Sequence, residues 1–332
     1  MTRHQYLNRG SQDVVTEKLF ADRVIHFLYS ETRENAPALF RAVTSAWTSS
    51  LLGFMNFDLP LAGKLLGSDR FFSRVDWADC LDNPTKFRTA RDIFERKIRY
   101  WECRPMPLDD GAVTSPADAK TLVGSFQSES AIHLKGKFFD LNELFGPEKT
   151  LWRSTFDRAD FAVFRLTPDK YHYNHTPVAG RVTDFYEIPG AHHSCNPGAV
   201  VELITPYSKN KRVLTIIDTD VEGGTQVGLV AMVEIVALMI GDIVQCYSEH
   251  RYENPTAAAP GMFVRKGCPK SLYRPGSSTD VLLFEPGRIE FAEDLVRNMR
   301  RPGTESRFSA AFGRPLVETD VAVRSLIATR RS

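Results

Sequence analysis

Several features are missing from this 332-residue chain. Its five cysteines are odd in number and scattered, which excludes a disulfide framework and favours a reducing compartment. No charge sign dominates: 42 basic against 41 acidic residues leave a net charge of +1, so a whole-protein basic field for nucleic acid is excluded. Met1 to Gly10 carries Arg3 and Arg9 but no apolar core, and a secretory leader is not expected. No long apolar run is free of charge. Leu51–Gly67 is interrupted by Asp58, Pro60 and Lys64, and Val227–Val244 contains Glu234 and Asp242, each costly in hydrocarbon. The second run is expected to be a buried core segment. Repeats and low-complexity tracts are absent. What is present is an ordinary globular composition, 42% hydrophobic and 25% charged, enough for a sizeable core.

The first hundred residues read as helical. Val15, Leu19, Val24 and Leu28 fall near a 3.6-residue period, and Asn35-Ala36-Pro37 resembles an N-cap with an early-turn proline. Leu39, Val43 and Trp47 then repeat on one face. Beyond Pro105–Asp110 lie short β-rich runs, Phe161–Phe164, Val213–Ile217 and Val281–Phe284, separated by Pro, Gly and Asn clusters. The expected architecture is α+β: a helical N-terminal region over 1–108, followed by a mostly antiparallel β domain over 109–332.

Three motifs carry candidate chemistry. His172 and His175 lie in a loop or turn expected between strands; a His-x-x-His pair can bind metal, act as acid and base, or hydrogen-bond within the turn. His192, His193 and Cys195 cluster again, but in no standard zinc spacing. Asp118, in Ser115-Pro116-Ala117-Asp118, can form a turn or serve as a base. Gly276-Ser277 ends a Pro-Gly turn that feeds an apolar strand, a setting in which a serine can be a simple turn residue or a nucleophile.

The order of these elements adds information. Ser-Pro-Ala-Asp, then Leu134-Lys-Gly-Lys-Phe-Phe-Asp-Leu, then Arg165-Leu-Thr-Pro-Asp-Lys-Tyr-His-x-x-His-x-Pro-Val-x-Gly, then Asn210-Lys-Arg-Val and a final Gly-Ser before Val-Leu-Leu-Phe-Glu, together resemble the phosphatidylserine decarboxylase family from about Phe94 to Glu285. There are departures. Ala119 stands where the family has glycine, the approach to the cut site reads Lys266-Gly267-Cys268-Pro269-Lys270-Ser271, and Gly276-Ser277-Ser278 has one extra residue before the strand. An ungapped match would make Ser278 reactive; Ser277 is preferred because acyl shift is sterically easiest across a Gly-Ser bond.

The resemblance implies a pyruvoyl-dependent lyase that cuts itself between Gly276 and Ser277. Asp118 would hydrogen-bond and orient His175, and His175 would activate the Ser277 hydroxyl for attack on the Gly276 carbonyl. Elimination and hydrolysis would leave a pyruvoyl group derived from Ser277, the only cofactor, with no metal. That group would be the electron sink for decarboxylation, with His172 the candidate acid for the α-carbon. The implied conversion is phosphatidylserine to phosphatidylethanolamine. Implied partners are a phospholipid, a membrane surface met peripherally from the cytoplasmic face, the chain's own small C-terminal fragment and, at most, a second copy in a homodimer; nucleic acid is not among them. Leu51, Leu52, Phe54, Met55, Phe57, Leu59 and Leu61 could lie in the interface, with Lys64 and Arg70 near anionic head groups. Other readings are the same chemistry on a soluble amino acid, a non-catalytic β-rich relic, and a zinc hydrolase built on His172, His175 and His192 or His193.

Overall fold

A computed structural model describes residues 3–19, 22–45, 47–48, 51, 54, 57–58, 75–127, 139–203, 205–238, 242–276 and 278–331. The expected β runs are all strands. In chain order the strands are β1 (Gln5–Asn8), β2 (Val14–Thr16), β3 (Ala112–Thr114), β4 (Ala119–Ser125), β5 (Asp160–Leu166), β6 (Tyr173–His175), β7 (Gly180–Ile188) and β8 (Arg212–Asp218). They continue as β9 (Leu229–Val236), β10 (Ile243–Gln245), β11 (Phe263–Val264), β12 (Pro269–Tyr273), β13 (Ser278–Phe284), β14 (Ile289–Phe291), β15 (Glu318–Val321) and β16 (Leu326–Arg330).

Ten of these form one sheet in the order β11-β7-β8-β9-β13-β5-β4-β15-β1-β2, antiparallel except for the β1–β15 pair. The sheet is covered on both faces, which explains why β5, β9 and β13 read as near-continuous apolar runs rather than alternating ones. Even-numbered β13 residues Leu282 and Phe284 join one core with Tyr273, Met232 and Ile327. Odd-numbered Val281 and Leu283 join another with Leu144, Phe145, Phe156 and Phe308, supplied by short helices. Two three-stranded sheets, β10-β12-β6 and β14-β16-β3, complete the β structure of the described residues. Within the Val227–Val244 run, Leu229–Val236 forms β9 and Val230–Leu238 is buried as expected, while Asp242 is exposed and Ile243 and Val244 belong to β10; residues 239–241 lie outside the described residues.

The helical N-terminal region is corrected. Val15 lies in β2, the edge strand of the large sheet, which pairs with β1 next to it. Among the described residues of this region, helix comes in short pieces such as Asp22–Phe27, Pro37–Val43 and Ala90–Phe94. Pro37 does open a helix, but Ala36 rather than Asn35 occupies the cap position, without a side-chain cap. The apparent helical period loses to tertiary pairing, fixed by a buried charge cluster. Arg165 on β5 donates Nη2 to Glu318 Oε2 on β15 and to Glu17 Oε2 just past β2, both at 2.6 Å. His4 Nε2 lies 2.8 Å from the same Glu318 oxygen. Burial alone would raise both carboxyl pKa values, but the guanidinium charge overrides it and holds them well below the usual range. His4, Glu17 and Glu318 lie close enough to ligate an ion, yet Arg165 already supplies the cation.

Candidate active site

His175 is the last residue of β6, whereas His172 lies in the non-strand segment just before it, so the expected loop gives way to a strand only at His175. Asn174 and His175 pair with β12, and Tyr273 N–H donates to the His172 carbonyl at 3.1 Å. The pair therefore runs antiparallel to the chain that leads up to Gly276. His172 lies beside Tyr273, close to that end, and His175 lies opposite Pro269. His175 N–H donates to Pro116 O at 2.7 Å, which brings β6 to the turn carrying Asp118.

Both imidazoles are completely buried. His175 Nδ1 is 2.9 Å from Gly267 O and Nε2 is 3.0 Å from Tyr171 Oη. A carbonyl only accepts, so Nδ1 carries the ring proton and Nε2 presents its lone pair to the Tyr171 hydroxyl. Tyr171 in turn meets Tyr252 Oη at 2.8 Å, and the Tyr100 ring stands edge-on to the imidazole at 4.7 Å. Gly267 is required where it is: its φ is +75°, and a Cβ there would sit 2.5 Å from Met106 Sδ. His172 stacks on Phe94 with centroids 3.5 Å apart, and neither of its ring nitrogens has a hydrogen-bond partner of ordinary geometry.

Asp118 is not bonded to His175, which corrects the expectation. Its carboxylate takes a fork from Arg104, Nε to Oδ1 at 3.0 Å and Nη2 to Oδ2 at 2.8 Å, and Oδ1 also accepts from Val323 N–H at 2.7 Å. Burial would raise its pKa, but the Arg104 charge outweighs that and lowers it. Gly267 O, not a carboxylate, orients His175. Asp118 still acts through space: its negative charge favours the protonated imidazole. Arg104, Tyr171 and Gly267 were invisible as site residues in the sequence. Tyr171 alone had a signal, as an aromatic four residues ahead of the second histidine.

Burial depresses His172 and His175 to a pKa of about 3 each. Both are neutral at pH 7, the form a base requires. The same shift sets an acid sensitivity. Between pH 6.5 and 3 the unfolded chain takes up protons that the folded chain refuses, so stability is full above 6.5 and falls as pH drops. At pH 5 each histidine accounts for about 2 kcal/mol lost. The lowered carboxylates Glu17, Glu318 and Asp118 add losses only below about pH 4.5. Urea unfolding of an uncleaved Ser277→Ala chain should show its midpoint falling between pH 7 and 5, and His172→Gln should flatten that slope.

Ser277 lies outside the described residues. On one side, Gly276 has φ +145°, a conformation that favours glycine. On the other, β13 starts at once: Ser278 pairs with Leu166 and Val236, within two ladders that run unbroken to Phe284. Ser278 is fully buried with its Oγ unpartnered, and its carbonyl faces Cys195 Sγ at 3.6 Å. The His192–Cys195 segment packs against the N-terminal helices, with Phe40 stacked on His193 at 5.8 Å. Among the described residues it forms no ligand cluster with His172 or His175, so the zinc reading has no geometric support.

Comparisons with known proteins bear on the family of the chain. Residues 90–313, which contain Asp118, both histidines and Gly276, match the family profile described as phosphatidylserine decarboxylase. The phosphatidylserine decarboxylase proenzyme of Chlamydia caviae is 29% identical over 322 residues, 96% of this chain and 100% of that protein. That of Fusobacterium nucleatum subsp. nucleatum is 26% identical over 295 residues, 89% and 91% of the two chains. That of Chlamydia muridarum is 33% identical over 222 residues, 67% of each. With the matched interval spanning most of the large sheet and the whole histidine strand, the chain belongs to the phosphatidylserine decarboxylase family, a family of carboxy-lyases.

Proposed function

We propose that the chain cuts itself between Gly276 and Ser277 and then decarboxylates phosphatidylserine to phosphatidylethanolamine, using a pyruvoyl group made from Ser277. The observation that carries this reading is the buried, neutral histidine pair held antiparallel to the strand that leads to Gly276. The residues fit such a group. Gly276 takes a backbone angle suited to glycine, Ser278 opens the β13 ladder, and His172, beside Tyr273, has ring nitrogens without a hydrogen-bond partner of ordinary geometry.

His175 Nε2 is the atom that would accept the Ser277 hydroxyl proton, once it exchanges Tyr171 for the serine. Gly267 O holds the opposite ring nitrogen, and the Asp118 charge stabilises the imidazolium that forms. When bound in place, the pyruvoyl ketone supplies the electron sink for loss of carbon dioxide. His172 is the proposed proton donor. Neutral in the closed chain, it would gain a proton when an anionic head group lies beside it, since an opposite charge favours the charged form.

Docking on a bilayer is supported by large apolar side chains left exposed in the N-terminal part: Trp47 at 75%, Leu39 at 57% and Phe54 at 52%. Leu39 and Trp47 belong to the face expected from Leu39, Val43 and Trp47, but Val43 packs against the core of the N-terminal helices. Phe57, by contrast, is buried against Phe94. Of the expected docking residues, Leu52, Met55, Leu59, Leu61, Lys64 and Arg70 lie outside the described residues. No described helix is long and apolar enough to cross a membrane, which suits peripheral contact.

The test is intact mass of the purified protein together with carbon dioxide release from phosphatidylserine vesicles. The expected result is two chains, the smaller beginning with a pyruvoyl group at 277, and release from vesicles but not from free amino acids. A single unmodified chain refutes the reading.

A further inference from the structure

A second buried polar cluster lies directly across the proposed cut. β12, ending at Tyr273, belongs to a small sheet and β13, starting at Ser278, to the large one, so the chain passes from one sheet to the other between them. The Tyr273 hydroxyl, at the start of this crossing, reaches past it. It accepts from Ile235 N–H at 3.0 Å and gives its own hydrogen to Asp280 Oδ1 at 2.8 Å, with Thr279 O a second acceptor at 3.0 Å. Tyr273 and Asp280 are both 0% exposed. The hydrogen bond closes a ring of chain that contains Gly276 and residue 277. We propose that Tyr273 and Asp280 are positioning residues for self-cleavage, a clamp that holds the two sides of the scissile connection in register.

The charges around the clamp say which form of Asp280 closes it. Asp280 faces Glu234, its register partner on β9, and Lys270 and Tyr273 on β12; its partner on the other side, Phe164 of β5, is apolar. Lys270 Nζ is committed to Glu234 Oε2 at 2.6 Å, and both are fully buried. Gln245, Asn174 and the Ser271 hydroxyl, all neutral, also donate to Glu234. Two carboxyls therefore share one ammonium, and like charges this close do not both ionise. Burial first, and Glu234 second, push the Asp280 pKa far up. The clamp is an uncharged acid, with Oδ2 left unpartnered.

The inference rests on the self-cleavage reading above, and the test separates the two. Pulse-chase gels follow cleavage of the full chain in wild type, Tyr273→Phe, Asp280→Asn and Asp280→Leu. Misplacing reacting atoms by an ångström is enough for large losses, so Tyr273→Phe and Asp280→Leu should slow cleavage roughly tenfold or more. Asp280→Asn keeps an uncharged hydrogen-bonding group and should stay close to the wild-type rate. Infrared difference spectra at neutral pH should show a protonated carboxyl band in wild type that Asp280→Asn lacks, a readout independent of whether the other variants fold. Wild-type cleavage without that band, Tyr273→Phe at the wild-type rate, or Asp280→Asn as slow as Asp280→Leu overturns the clamp. A wild-type chain that never cleaves overturns the earlier reading instead.

Discussion

Ser277→Ala protein is expected to remain one chain and to have no decarboxylase activity above background, whereas the wild type separates into two bands on a denaturing gel. Without the hydroxyl there is no oxygen to take over the Gly276 acyl group, and without that transfer no ketone arises. Ser278→Ala is the matched control and should still be cut. Ser278 is paired on both sides from the first rung of β13, so its backbone is committed to the ladders. The reverse result, cleavage lost in Ser278→Ala and kept in Ser277→Ala, would move the reactive residue by one.

The same experiment has a second readout. In the cut wild type the two fragments should co-elute under native conditions and part only in denaturant. Residues beyond 277 supply β13, which lies between β9 and β5 in the ten-stranded sheet. They also supply β15, whose Glu318 is bound into the Arg165 cluster. Removing that piece would expose both cores and leave Arg165 with one buried carboxylate fewer, a loss of several kcal/mol for the broken ion pairs alone, on the order of 3–5.

His175→Gln is expected to lower the self-cleavage rate by at least about 10²-fold, the lower end of what a positioned base supplies. Glutamine can still donate to Gly267 O, so the backbone around β6 and β12 has a partner, but no basic nitrogen remains to take the serine proton. The Tyr171 hydroxyl loses its buried acceptor, at a stability cost of about 1–3 kcal/mol. Pulse-chase measurement of precursor decay, with circular dichroism to check folding, distinguishes the lost base from a lost fold. Native-like spectra with an unchanged cleavage rate would remove His175 from the reaction.

Much of this was open to inspection in the amino-acid order, and the boundary has a physical cause. Runs buried on both faces declare themselves locally, which is why Phe161–Phe164, Val213–Ile217 and Val281–Phe284 were readable as strands. The ordered blocks around Asp118, His172 and His175, and Gly276-Ser277 were equally readable, because each is a contiguous stretch. Residues 5–16 were misread: strands of four and three residues carry too little periodicity, and their pairing partner lies near residue 318, beyond any local window. The partners of the site residues were hidden for the same reason. Asp118 pointed by sequence to His175, but space gave it Arg104 and the Val323 amide, while Gly267 and Tyr171 took the imidazole. Asp280 drew no reading from the sequence; only the passage from one sheet to the other brings it to Tyr273. Local composition determined which segments would be buried and which residues could react. Hydrogen-bond partners were decided by which distant chains the sheets bring within about 3 Å, and that information exists only in the tertiary structure.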